Sequence, residues 1–203
     1  LGLLEDAERD VRSGLAINTE NRNRIELLRT QGIVAMLNGE YSESVSLLEE
    51  AQRLNGKPLS DVWLAQAQYY QGGAPQAETL LEDLLHSSSA SLVARAEATL
   101  ASLAAARGNR KRAEELLRTV LAGAYMDHHV AYSLGAAYAQ LGEANEAVRW
   151  LRQAADTGFP CYPWYERDPL LQPLSNNAEF RRFKEVLQKS WESAKTRYAQ
   201  SSS

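Results

Sequence analysis

The stretch Leu134–Ala147, LGAAYAQLGEANEA, decides how this chain is read. Two helical periods meet in it. Before Gly142, residues Ala131, Leu134, Gly135 and Tyr138 fall on one helix face. After it, Ala147, Leu151 and Ala154 share another, so one helix stops and a second begins across the glycine. Gly142 suits the stop because a left-handed residue there turns its N–H back onto the loose carbonyls of the last turn, and glycine adopts that conformation without a side-chain clash. The unit is a helical hairpin.

The same arrangement recurs along the chain. NGEYSES (38–44), QGGAPQA (71–77), RGNRKRA (107–113) and LGEANEA (141–147) each place a small residue five positions after a glycine, and those small residues are spaced by 33, 36 and 34. Copy three then carries Leu100, Ala101, Ala104, Gly108, Ala113, Leu117 and Val120, and copy two Leu64, Ala65, Gly72, Ala77, Leu81 and Leu84. Copy one carries Gly32, Ala35, Gly39, Ser44, Leu48 and Ala51, with Gln31 before its glycine. The copies are expected near 25–58, 58–91, 94–127 and 128–161. The small residues have a steric cause. Where the helices of a hairpin cross, Gly135 and Ala147 let the backbones approach, so that Leu134 and Leu151 interlock.

Residues 1–17 continue the pattern backwards. Ala7, Val11, Gly14 and Leu15, followed by Asn18–Asn21, read as the second helix of a partial repeat or as an N-terminal helix, and upstream sequence is expected in the full protein.

Leu134-Gly135, Tyr138, Gly142, Ala147, Leu151, Ala154 and Pro160 resemble the tetratricopeptide repeat, whose period is about 34 residues. Copy one departs from that pattern, having Gln31 where leucine is usual. The resemblance implies an all-α, right-handed superhelical solenoid of antiparallel helix pairs, with the first helices lining its concave side. By the family's register, the groove-facing candidates in copy one are Glu26, Arg29, Ile33 and Met36, and in copy two Leu59, Val62, Gln66 and Tyr69. Copy three offers Arg95, Ala98, Ser102 and Ala105, and copy four His129, Tyr132, Ala136 and Ala139. Family members that clamp a C-terminal carboxylate use a basic residue with asparagines at such positions. No asparagine stands at these, so a chaperone-tail clamp is not expected.

Composition narrows the function classes. The 203 residues are 44% hydrophobic and 24% charged with net charge −4, which fits a globular chain and gives no basic surface for nucleic acid. Arg107–Arg112 is a short basic turn followed by Glu114 and Glu115. No apolar run is long enough to span a membrane. The single cysteine, Cys161, excludes an intrachain disulfide and is compatible with a cytoplasmic location, without separating cytoplasm from periplasm.

No phosphate loop, zinc-protease helix, Cys-x-x-Cys or nucleophile elbow occurs. No cofactor, metal or catalytic residue is therefore expected. Asp127 precedes His128-His129 and reads as a helix cap, while adjacent helical residues point about 100° apart and make poor chelators. His86 reads as a cation at a helix C-terminus or as a surface residue. Glu49-Glu50, Glu82-Asp83 and Glu114-Glu115 read as solvated faces. Cys161 has no His, Lys or second Cys beside it in sequence and reads as a small apolar group.

From Gly158 the helical period stops. GFPCYPWYERDPLLQP (158–173) holds four of the six prolines and four aromatics, and is expected, across 162–176, to cover the apolar end of the stack with Phe159, Tyr162, Trp164 and Tyr165. Asp168 should cap a short helical turn begun by Pro169. A final amphipathic helix is expected over 177–199, apolar at Phe180, Phe183, Val186, Leu187 and Trp191, before a disordered tail at 201–203. This tail segment resembles one that follows tetratricopeptide repeats in bacterial multidomain signalling proteins, including receptor-like serine/threonine kinases. The expectation is one non-enzymatic domain over 1–200, binding a protein or peptide, with homo-oligomerisation or a catalytic domain outside this fragment as alternatives.

Overall fold

The computed structural model describes residues 2–17, 21–54 and 59–201. The expected repeat boundary at residue 58 and the last two residues of the tail lie outside them, as does the side chain of Leu59. All regular structure among the described residues is helical. The chain divides into two compact units, Leu4–Ala96 and Leu1–Leu3 with Glu97–Ser203.

The first unit holds α1 (Leu4–Ile17), α2 (Asn21–Asn38), α3 (Tyr41–Arg53), α4 (Leu59–Tyr70), α5 (Ala74–Leu84) and the start of α6 (Ala90–Ala106). Each of α1 to α5 packs on its chain neighbour, and α2 also touches α4. In the second unit, α7 (Arg110–Ala122), α8 (His128–Gln140) and α9 (Ala144–Thr157) follow the rest of α6. Then come α10 (Tyr162–Arg167), a 3₁₀ turn over Pro169–Leu174, and α11 (Ala178–Ser201).

The four turn glycines adopt one conformation. Gly39, Gly72, Gly108 and Gly142 have φ of 86°, 101°, 77° and 81°. Each donates to the carbonyl three residues back, on Met36, Tyr69, Ala105 and Ala139. The next residue in each case donates to the carbonyl five back, on Ala35, Gln68, Ala104 and Tyr138, at 2.7–2.9 Å. These paired bonds close the last helical turn around a left-handed residue. The carbonyls of Glu40, Gly73, Asn109 and Glu143 then accept from Ser44, Ala77, Ala113 and Ala147, which starts the second helix in the same register each time.

The helix crossings repeat as well. A Cβ added to Gly32 would lie 2.7 Å from Leu48 Cγ, and one added to Gly135 would lie 2.7 Å from Leu151 Cγ. In the middle copies, Ala65 with Leu81 and Ala101 with Leu117 are buried at the same register. Ser44 stands where the other copies have alanine, and its hydroxyl donates to the Gly32 carbonyl at 2.7 Å, so its buried oxygen is satisfied.

Two details differ from the sequence expectation. Tyr162–Arg167 is a helical turn, with Pro163 near its start where a missing N–H costs nothing. Val186 is 61% exposed rather than part of the buried stripe of α11, which runs through Phe180, Phe183, Leu187 and Ala194. Steps of three, four and seven residues keep that stripe on one side, and Val186 falls off it.

Candidate functional site: the faces of the first helices

In the first unit, α2 packs against α4 at an offset of one repeat, so Arg29, Ile33 and Met36 correspond to Val62, Gln66 and Tyr69. Arg29, Ile33, Gln66 and Tyr69 are partly exposed, while Met36 and Val62 are buried and contribute packing instead of contact surface. Arg29 extends one terminal nitrogen to Glu26, and its Nε is buried without a hydrogen-bond partner. Tyr69 meets Tyr70 edge-on, and Tyr70 stacks on Tyr41 with ring centroids 5.2 Å apart. Arg95, also partly exposed, follows on α6.

Further along, the register positions close. Ser102 is buried and donates to the Thr99 carbonyl at 2.7 Å, and Ala98 and Ala105 are buried beside it in sequence register. In copy four Tyr132, Ala136 and Ala139 are buried and only His129 is partly exposed.

The cover over Tyr132 comes from the chain itself. Its hydroxyl donates to Asp168 Oδ2 at 2.5 Å, and its ring meets Phe159 and Tyr165 edge-on at 5.2 and 5.3 Å. Asp168 is buried, and its Oδ1 accepts from the Leu170 N–H at 2.9 Å, which caps the 3₁₀ turn. Gln140 adds a bond from its amide to the Leu170 carbonyl at 2.7 Å. Trp164, Tyr165, Leu170, Leu171 and Leu174 are buried as a group of side chains from this segment. Tyr165 donates to the Leu151 carbonyl at 3.2 Å and meets Phe183 of α11 edge-on. Nothing local announced the Tyr132–Asp168 bond, because the partners stand 36 residues apart.

Cys161 is buried, and burial pushes its thiol above the usual range, the opposite of what a reactive thiolate needs. Near it Gly2 lies close to Cys161 and Pro163, and its carbonyl accepts from the Trp191 indole at 2.8 Å. Burial raises the carboxyls of Asp61 and Glu97, neither of them in the acidic pairs singled out by sequence.

Asp127 caps α8 as its position implies, accepting from the N–H groups of His129 and Val130. The two histidines, however, do not diverge. Their Nε2 atoms lie 3.1 Å apart. Among the described residues no group of three or more His, Cys, Asp or Glu is placed to hold a metal, and no helix is long and apolar enough to cross a membrane. No model of a known protein family matches this chain, and no curated protein matches it.

Proposed function

We propose that this chain is a non-enzymatic interaction module of tetratricopeptide type, a right-handed stack of hairpins that takes a peptide or protein segment on the first-helix faces of copies one and two. The contact residues are Arg29, Ile33, Gln66 and Tyr69, with Arg95 next in register. The observation that carries this reading is the contrast in exposure: these side chains stand partly open on packed neighbours α2 and α4, whereas the matching face of α8 is filled by the chain's own Asp168 and Phe159. An arginine fork can meet a carboxylate in two bonds, and a tyrosine gives flat apolar area with a polar tip. The resemblance of the closing segment to one that follows tetratricopeptide repeats in bacterial multidomain signalling proteins supports a place within a larger protein of that kind, and the burial of Trp164 and Tyr165 suits a cover for the end of the stack.

The test is capture of partners by the purified chain, comparing wild type with Arg29→Glu combined with Tyr69→Ala. The double variant should keep its helical circular dichroism and lose the partners that the wild type retains. Retention of the same proteins by both would overturn the assignment of the face.

A further inference from the structure

We infer that His128 and His129 form a binding site for a divalent metal ion of the class that prefers imidazole ligands, with zinc as the working example. Two nitrogens bonded to one zinc at about 2.0–2.1 Å each lie roughly 2.9–3.4 Å apart for bond angles between a right angle and the tetrahedral value. The Nε2 atoms are 3.1 Å apart, within that interval.

The surroundings hold the pair in this attitude. Asp127 Oδ1 accepts from the backbone of His129 at 3.0 Å and Val130 at 2.9 Å, while its Oδ2 accepts from the Tyr125 hydroxyl at 2.9 Å. The backbone at the start of α8 is thereby fixed. Gly158, at φ 143°, lies so close to the His128 ring that a Cβ there would be 2.9 Å from Nδ1. That contact sets the Nδ1 edge of His128 against the chain and turns its Nε2 toward His129. The His129 ring in turn rests near Phe159, centroids 5.7 Å apart. Both histidines are partly exposed, so an ion can reach them.

Without metal, one imidazole donates its Nε2 proton to the lone pair of the other. The donor ring is then the Nε2–H tautomer; on metal binding its proton passes through solvent to its own Nδ1, so that both rings are neutral Nδ1–H tautomers, both Nε2 lone pairs bond the ion, and no net proton is released. Imidazole nitrogen suits zinc, copper and nickel over magnesium or calcium. Among the described residues no third protein ligand joins the pair. Water fills the remaining positions in the isolated protein, and the site binds more weakly than a four-ligand structural zinc.

Calorimetric titration of the full chain with zinc chloride tests the site. The expected result is one zinc per chain, with affinity lowered roughly tenfold or more by either His128→Ala or His129→Ala and unchanged by His86→Ala, which alters the third histidine. Absence of one-to-one uptake by the wild type, or uptake indifferent to both substitutions, would overturn the inference. Because replacing either ring alters the first turn of α8, the wild type is also followed by imidazole ¹⁵N resonances. The Nε2 signals of His128 and His129 should move together on adding zinc. Movement of one alone, or of neither, would equally overturn it.

Discussion

In copy one Gly32 presses on Leu48, and Arg29, three positions earlier, keeps part of its surface open; in copy four Gly135 presses on Leu151 in the same way, but Tyr132, three positions earlier, is sealed under Asp168, Phe159 and Tyr165. The crossing is therefore independent of what the neighbouring face does. A glycine or alanine sets the approach of two helices in both copies. The residue three places before it, together with whatever chain follows, decides whether that face is core or surface.

The largest effect should come from removing the cover. Trp164→Ala empties a buried indole site and is expected to cost about 3–5 kcal/mol, read by urea unfolding. A loss below about 1 kcal/mol would mean that the segment merely lies on copy four without holding it. Tyr132→Phe is a finer cut through the same region. It deletes the donor to buried Asp168 and should cost about 1–3 kcal/mol. The counterpart in copy one, Arg29→Gln, removes an ion pair with an exposed glutamate together with a buried Nε that has no hydrogen-bond partner, and should change stability by about 0.5 kcal/mol or less. Equal costs at the two positions would erase the contrast between a sealed and an open face.

Gly32→Ala and Gly135→Ala probe what the copies share. Overpacking against the leucine costs about 1–3 kcal/mol, and alanine returns about 1 kcal/mol of helix propensity. A net loss of up to about 2 kcal/mol is expected at both sites, measured by thermal unfolding. Gly135 is also 3.2 Å, by its added Cβ, from the Ala147 carbonyl, against 3.4 Å from the Ser44 carbonyl for Gly32, so any difference should make Gly135→Ala the worse.

The repeat was legible because it is written in local terms. A turn glycine, a small residue five positions later and a leucine four beyond that carry their meaning within one hairpin, and all four turns close with the same bonds. Ser44 was visible as a departure from alanine, but its bond to the Gly32 carbonyl across the helix crossing was not. Copy four's cover was half legible. Proline density marked the end of the helical period and Asp168 the cap of a short turn, while the long-range bond to Tyr132 depends on tertiary packing. Spacing did not show that the ring nitrogens of His128 and His129 meet, since ideal helical directions do not describe side chains at a helix start pressed by Gly158 and Phe159.

The smallest expected effect concerns the carboxylates of the two units. Buried Asp168 receives a tyrosine hydroxyl and a backbone N–H, whereas half-buried Asp61 on α4 receives the Gln52 amide at 3.1 Å. Burial raises the Asp61 carboxyl above its ordinary 3.8, and the Gln52 bond only partly opposes this. The native state then holds its proton to higher pH than the unfolded chain does. The stability linked to Asp61 is present below about pH 3.8 and is lost as pH rises through the raised value. Asp61→Asn removes the charge and keeps an oxygen for Gln52, so the variant should be more stable than wild type at pH 7 by up to about 0.5 kcal/mol, with the gap narrowing toward pH 4. Urea unfolding at both pH values measures it. Asp61 also lies in the first turn of α4, where a negative charge interacts favourably with the helix dipole. A less stable Asp61→Asn at pH 7 would show that the dipole outweighs burial there, and that the thinly supplied carboxylate of the first unit is as well accommodated as the sealed one in copy four.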